Sequence, residues 1–436
     1  MLTELLDRLR LRRSGAILIP LSLGSRSLDS RALGPQPELS DWSSATEAVG
    51  KVFQSFISLR LETLMTLPYL DQLHRLADLT PLEQKVLEDI GVRTPEDLLS
   101  LTWNFPSLGG IGLDLPKLSF AANASAPQTA FTNVVKKFSL GQAPPPRFAH
   151  GAKIPPSAPV QPGYTVPLPA PASGASITPP VYPALDFRFP GWTVKDQGAR
   201  GTCVAFSVIA CREHLLHSEA AFNDLSEQYL FWATKTSTAD PNPTDDGTWI
   251  EFARDALSKA GTCVSGLWPY VGTVLPGSVT HASATAPSTG ARSDALKWRH
   301  SAGTYHSSAS MSGKAAVVIN AMLSTQRPVA VSLPVFGDPI HPGSDNWNMA
   351  VGISFGRVID PPPTSVVVGG HAVCLTGFVP DSSEPKGGWF ILRNSWGSLA
   401  WANSLPAALP YVAPELGYGQ ISATYVDRYL MEMCVL

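Results

Sequence analysis

The chain has 436 residues, of which 44% are apolar and 15% charged, and its formal net charge is −3. This length favours two domains over one, and the apolar share suffices for a sizeable core. A nearly balanced charge gives no basic field, which argues against nucleic acid as the main partner. No apolar run reaches the ~18 residues that a membrane-spanning helix needs.

Residues 1–142 are predicted to form a mainly helical N-terminal module. Leucines in residues 1–14 share one face of a short amphipathic helix, and residues 41–79 have apolar positions at helical spacing. The apolar stretch 15–23 follows two arginines, but acidic residues precede them and no clean cleavage site follows. We therefore expect a buried strand there and not a signal peptide. The module is also a candidate surface for a protein partner.

Two helix starts follow each other within residues 80–102. Thr80 and Thr94 each precede a proline and have an acidic residue three positions later, which is typical of a capping box. Gly91 between them suits a left-handed helix end. The pair resembles a helix-hairpin-helix unit, but it holds two basic residues against five acidic ones, so a phosphate backbone would be repelled.

Residues 143–180 are predicted to be a proline-rich linker. Thirteen prolines lie between Pro144 and Pro183, and few charges accompany them. This composition favours extended polyproline backbone and does not build a core. Such a segment is long enough to lie along a cleft.

Residues 181–436 are predicted to fold as an α+β domain, because helical patterns come first and strand patterns follow. The helices are expected over 203–217, 225–235 and 248–260, and the strands over Val329–Val335, Val366–Val368, His371–Phe378 and Gly388–Asn394. Segments 272–313 and 338–365 are rich in Ser, Ala, Gly and Pro and are predicted to be surface insertions.

Cys203 has the sequence context of a nucleophile. A glycine-containing loop leads into it from Gln197, and a helical pattern begins at the cysteine itself. On a first helical turn, unpaired backbone N–H groups and the positive dipole end favour the thiolate. The Gln197 amide can fold back and donate a hydrogen bond to the oxyanion formed when the sulfur attacks a carbonyl.

Two further residues complete a site for acyl transfer. His371 follows two glycines and enters an apolar strand, where it can act as a base, and Asn394 ends another strand. An amide oxygen can orient the imidazole without adding negative charge, so a thiolate–imidazolium pair can persist. Trp396 would shield that hydrogen bond from water and so strengthen it.

Six segments match, in order, the motifs of papain-like cysteine peptidases. They are Asp186–Arg188 with Val194–Gln197, Gln197–Ser207, Leu225–Gln228, Trp268–Tyr270, Gly370–Val373 and Arg393–Gly397. The resemblance covers residues 181–436. It implies a two-lobed fold, with a helical lobe and an antiparallel β-barrel-like lobe, preceded here by the small helical module.

The resemblance also implies roles for individual residues. Cys203 would be the nucleophile, His371 the base and later the acid, and Asn394 the residue that orients it. Gln197 and the Cys203 N–H would bind the oxyanion, and Gly247 and Trp396 would lie beside the substrate. The activity implied is a cysteine-type endopeptidase acting on a protein or peptide, with no cofactor and no metal.

Some features depart from the family pattern. Residues 1–180 lack the E-x-x-x-R-x-x-x-F-x-x-N pattern of the usual inhibitory propeptide, and Arg200 stands where secreted relatives carry a disulfide cysteine. The five cysteines are odd in number and have no metal-ligand spacing. A reducing compartment such as the cytoplasm is therefore expected, or delivery by a specialised secretion route from a bacterium.

Two other functions fit the same residues. The triad can serve deamidation or transamidation in a toxin-like effector, and the cleft can be a catalytically silent binding scaffold. The role of residues 1–142 stays open between targeting a protein and regulating the cleft.

Overall fold

A computed structural model describes residues 79–115, 117–118, 149–168, 179–272, 286–341, 343–403 and 415–436. The chain divides into two units at residue 61, and all described residues lie in the second, Glu62–Leu436. The elements predicted over 1–14, 15–23 and 41–79 lie outside the described residues, apart from Leu79.

The described helices and strands follow the order predicted for an α+β chain. The helices are α1 (Pro81–Asp89), α2 (Pro95–Asn104), α3 (Cys203–Ser218), α4 (Glu227–Ser237), α5 (Ile250–Lys259), α6 (Thr289–Ala295), α7 (Lys314–Thr325), α8 (Ala350–Phe355) and α9 (Ala423–Tyr429). The strands are β1 (Leu185–Asp186), β2 (Thr304–Ser307), β3 (Val329–Gly337), β4 (Arg357–Val358), β5 (Val366–Pro380), β6 (Gly388–Arg393), β7 (Tyr418–Ser422) and β8 (Glu432–Val435). Within the described ranges, no helix combines the length and apolarity needed to cross a membrane.

The strands form one sheet in the order β2-β8-β3-β5-β6-β7-β4, with β1 paired to β5. Neighbouring strands are antiparallel except for β4 and β7, which run parallel. β5 has 15 residues and joins the two strands predicted at 366–368 and 371–378. Gly370 lies opposite Pro334 and Gly369 opposite Val335, and the register shifts by one residue between Gly369 and Val367 without ending the strand.

The helical lobe packs on the sheet through α3, which is buried along almost its whole length. Its first nine residues, Cys203–Cys211, are apolar except for Ser207, and α3 lies between α4, α5 and the sheet. The sheet contributes small side chains to this contact, among them Ala330, Ala372 and Cys374. The α+β, two-lobed prediction is thereby confirmed.

Both helices of the α1–α2 hairpin begin where the sequence predicts. Thr80 and Thr94 both form complete capping boxes, and Gly91 has the left-handed φ of +69°. The apolar side of the hairpin packs on residues 349–351 and on Ile359, so these segments share one hydrophobic core.

Segment 338–365 was predicted to be a surface insertion, and this is wrong. Trp347 and Asn346 are fully buried, and α8 lies beneath the α1–α2 hairpin. The Asp345 carboxylate caps the turn by accepting from the backbone N–H groups of Trp347 and Asn348. The Gly, Pro and Asn residues of segment 338–365 mark its turns. They do not show that the segment is covered, because the hairpin that covers it lies some 250 positions earlier in the chain.

A buried ion pair fastens the hairpin to the sheet. The Arg357 Nε lies 2.9 Å from the Asp97 Oδ1, and both side chains are almost fully buried. Arg357 Nη2 also donates to the Gly91 carbonyl at 2.8 Å, and its guanidinium lies 4.4 Å from the centre of the Trp389 ring. Arg357 therefore contacts both the loop and the second helix of the hairpin.

We expect Arg357→Met to lower the free energy of unfolding by about 3–5 kcal/mol, because the buried Asp97 carboxylate loses its partner. Urea denaturation of the full chain measures this. The control is Lys259→Met, which removes the exposed pair with Asp255 and should cost less than about 1 kcal/mol. Equal midpoints for the two variants would contradict the importance of the buried pair.

Candidate active site

Cys203 is the first residue of α3, as predicted, and the loop before it is held on both sides. Gly198 has φ +58°, and a Cβ there would come within 2.4 Å of the Gly272 carbonyl oxygen. Gly201 N–H donates to the Asp246 carboxylate at 2.8 Å. The buried Arg200 donates to Gln228 at 2.6 Å and lies over the Tyr270 ring. The sulfur therefore stands at the tip of a helix whose entry loop is fixed.

His371 lies on β5 and approaches Cys203 from the sheet lobe. The neighbouring Ala372 N–H donates to the Cys203 Sγ at 3.3 Å, so the strand that carries the imidazole touches the sulfur directly. The register of β5 on β3 places His371 opposite Leu333. The structure thus brings together two residues that are 168 positions apart in the sequence.

Asn394 orients the imidazole and thereby sets its tautomer. The Asn394 Oδ1 lies 2.8 Å from the His371 Nε2 and also accepts from the Ser395 N–H at 2.8 Å. The second bond identifies the oxygen as the atom facing the ring, so Nε2 carries the hydrogen. The His371 Nδ1 is buried without a hydrogen-bond partner among the described residues. It is therefore the nitrogen left to receive a proton.

Two tryptophans enclose the imidazole. Trp396 stacks on His371 with ring centres 4.3 Å apart, as its predicted shielding role requires. Trp347, which the sequence did not single out, meets the same ring edge-on at 5.1 Å. Its only sequence signal is an aromatic residue within a polar segment.

Ser395, which the sequence analysis did not single out, orients the side-chain amide of Gln197 as a donor. The Ser395 Oγ donates to the Gln197 Oε1 at 2.6 Å, so the amide nitrogen points the other way, toward the cleft. This Nε2 donates to the carbonyl oxygens of Arg200 at 2.7 Å and of Ala149 at 2.9 Å. Ser395 lies within the Asn394–Trp396 motif, which was the available signal. Among the described residues, no group of three His, Cys, Asp or Glu side chains could hold a metal ion.

Residues Ala149–Lys153, named here the cleft segment, lie across this site. Gly247, predicted to lie beside substrate backbone, faces Gly151: a Cβ on Gly247 would be 2.7 Å from the Gly151 carbonyl oxygen. The next residue, Thr248, forms a parallel bridge with Ala152. The part of the cleft that the sequence predicted to bind substrate backbone, at Gly247, is therefore in contact with backbone of the chain itself.

In the covered site, burial favours the neutral forms of the thiol and the imidazole. Burial raises the pKa of the Cys203 thiol to about 11, although backbone N–H groups directed at the sulfur oppose this. Burial also lowers the pKa of His371 to about 3, helped by His150 and opposed by Asn394. Both shifts disfavour the predicted thiolate–imidazolium pair in this arrangement, because exclusion of water opposes the helix dipole.

These directions predict the ultraviolet absorbance of the thiolate. A raised pKa keeps Cys203 protonated, so subtracting the spectrum of Cys203→Ala from that of the parent chain should leave no thiolate band between pH 5 and 9. The band should appear only as the pH approaches about 11. A step in the difference spectrum below pH 7 would show that the ion pair forms with the cleft covered.

Comparison with known proteins gives one matching family model and several similar solved structures. The family model described as papain family cysteine protease matches residues 183–404, which is half of the chain. No curated protein matches. Similar solved structures include xylellain, a cysteine protease from Xylella fastidiosa, at 20% identity and TM-score 0.45, covering 66% of this chain and 98% of that one. Digestive procathepsin L 3 of Tenebrio molitor is 17% identical with TM-score 0.39, covering 78% and 99%. Bromelain from Ananas comosus is 16% identical with TM-score 0.35, covering 58% and 98%.

Proposed function

Because the chain belongs to the papain family of cysteine proteases, we propose that it is a thiol endopeptidase that cleaves a protein substrate through Cys203, His371 and Asn394. One observation carries the assignment of the triad. The Asn394 oxygen holds the imidazole Nε2–H while Nδ1 is left without a partner among the described residues, on a strand that touches the sulfur. An imidazole bound in this way is prepared to take a proton from the thiol.

The first half of the reaction follows from these positions. The Cys203 sulfur attacks the carbonyl carbon of the substrate peptide bond, an S–C bond forms, and the thiol proton passes to His371 Nδ1. The carbonyl oxygen becomes an oxyanion that accepts hydrogen bonds from the Gln197 Nε2 and the Cys203 N–H. The C–N bond then breaks, and His371 returns its proton to the departing amine.

The second half releases the acyl group. Water attacks the thioester carbon and gives a proton to His371, and the S–C bond breaks to yield a carboxylic acid. The proton on His371 returns to the sulfur, so the enzyme regains its starting state. Asn394 holds the ring through both halves by the same hydrogen bond.

The cysteines support a reducing compartment such as the cytoplasm as the place of action. All five are free, and none is exposed. Cys211 and Cys374 approach to 3.6 Å between their sulfur atoms without being bonded. For residues 1–142 we propose a role in choosing a protein target or in controlling the cleft.

New protein termini in cells that express the chain, compared with cells expressing Cys203→Ala, test the proposed function. We expect parent-specific termini, because the alanine variant has no nucleophile. A one-dalton gain in target proteins would indicate deamidation, and loss of ammonia with crosslinks would indicate transamidation. Identical proteomes would indicate a binding scaffold.

We expect Gln197→Ala to lower kcat by about 100- to 1,000-fold with little change in KM, because one oxyanion donor is lost. Ser395→Ala keeps the Gln197 amide but removes the hydrogen bond that orients it. We therefore expect it to lower kcat by a smaller factor. Steady-state kinetics on a peptide substrate measures both. A change confined to KM would place Gln197 in ground-state binding instead.

A further inference from the structure

A cavity lies in the helical lobe, beside the loop that leads to Cys203. Its volume is about 510 Å³, which is within the range of small-molecule sites in proteins. Residues 191–196 form one side of it, and residues 222–227 and 265–270 form the others, with two side chains of α3 between them. No residue of the triad lines this cavity, and the mechanism of peptide hydrolysis does not use it.

Apolar side chains form much of the cavity wall. Phe206, Pro269 and Tyr270 line it together with Trp192 and Phe222. Trp192 and Phe206 are buried, whereas Phe222 is 42% exposed and therefore stands at the mouth. The ring of Phe222 is thus accessible to a ligand, and the face of an aromatic ring attracts organic cations.

Carboxylates outnumber basic groups around the cavity. Its lining contains one basic residue, Lys195, and four acidic residues: Asp196, Glu213, Asp224 and Glu227. The Lys195 Nζ lies 2.7 Å from a carboxylate oxygen of Glu213, 2.7 Å from one of Glu227 and 2.6 Å from one of Asp224. A single ammonium group is therefore shared among three carboxylates.

Lys195 does not balance the negative charge around it. Burial raises the pKa of Glu227 to about 7, and Glu213 adds to this rise while Lys195 opposes it. The Asp224 side chain is 61% exposed, whereas those of Glu213 and Glu227 are almost fully buried. A cation that enters past Asp224 therefore meets carboxylates whose charge Lys195 leaves in excess, and it is attracted to them.

The cavity is close to the catalytic residues but separate from the substrate cleft. Lys195 and Glu227 line both the cavity and a small internal chamber next to it. Asn394 and Ser395 line the same chamber. Neither the cleft segment nor Gly247 lines the cavity. A ligand bound there would therefore lie near Asn394 without entering the cleft.

We propose that this cavity is a second binding site, which takes a small organic cation with a flat apolar body and an amidinium, guanidinium or ammonium group. The apolar body packs against Phe222 and the wall beside Tyr270. The charged group binds the carboxylates of Asp224 and Glu227. The site goes beyond the proposed function, because no step of peptide hydrolysis takes place in it.

Benzamidine tests the site, because it joins an aromatic ring to an amidinium group. Benzamide is the matched neutral compound of nearly the same shape. Isothermal titration calorimetry on the full chain measures the affinity of both. We expect the Kd of benzamidine to be lower than that of benzamide by about fivefold or more, since only the cation gains from the carboxylates and the ring face. Raising the salt from about 20 to about 200 mM should weaken benzamidine binding and leave benzamide unaffected.

Two substitutions at the mouth locate the site. Asp224→Asn and Phe222→Ala change exposed side chains, and each should raise the Kd of benzamidine by about two- to fivefold. Asp245→Asn is the matched control, because it removes a carboxylate of similar exposure, 57%, that pairs with Lys153 beside the cleft. It should leave the Kd unchanged. Thermal unfolding establishes that each variant is folded, and benzamidine should raise the Tm of the parent chain.

Three results would overturn the cation site. The first is equal affinity for benzamidine and benzamide, and the second is no benzamidine binding at about 10 mM, a concentration that nearly saturates a site with a Kd of about 1 mM. The third is a loss of affinity in Asp245→Asn as large as in Asp224→Asn, because the cation would then lie in the cleft. None of these readouts requires peptide hydrolysis, so a failure of the proposed function would leave them interpretable.

Discussion

The candidate site depends on the close packing of α3 against β5. The nucleophile comes from the tip of a helix and the base from the middle of a strand, and no local sequence connects them. The short contact from the Ala372 N–H to the Cys203 sulfur is possible only because the facing side chains are small. Larger residues at Ala330 or Ala372 would separate the lobes, and with them the sulfur and the imidazole. The same interface therefore supports both the core and the chemistry.

Sequence predicted the local parts of this arrangement well. Cys203 begins a helix, His371 lies in a strand and Asn394 directly follows one, because glycines, capping residues and apolar spacing act over a few positions. Sequence failed where the outcome depends on distant partners. Segment 338–365 has the composition of a surface loop, yet the hairpin of α1 and α2 covers it and brings Trp347 to the imidazole.

The position of the cleft segment also could not be predicted from the sequence. Its residues Ala149–Lys153 carry no motif, and the surrounding prolines indicate only extended backbone. What places them in the cleft is a set of backbone hydrogen bonds and the absence of a side chain at Gly151. Neither is encoded by periodicity. Filling the cleft also removes water from the thiol and the imidazole, and this burial disfavours their charged forms.

Through the buried pair of Asp97 and Arg357, the first half of the chain stabilises the second. A chain cut at residue 181 would keep every motif of the triad and lose the cover over residues 349–351 and Ile359. It would also leave a guanidinium inside the protein without its carboxylate. The shortest fragment that carries the catalytic motifs therefore lacks the residues that cover part of its core. A fragment without the hairpin would expose an apolar patch where α1 and α2 had packed, and such patches promote aggregation.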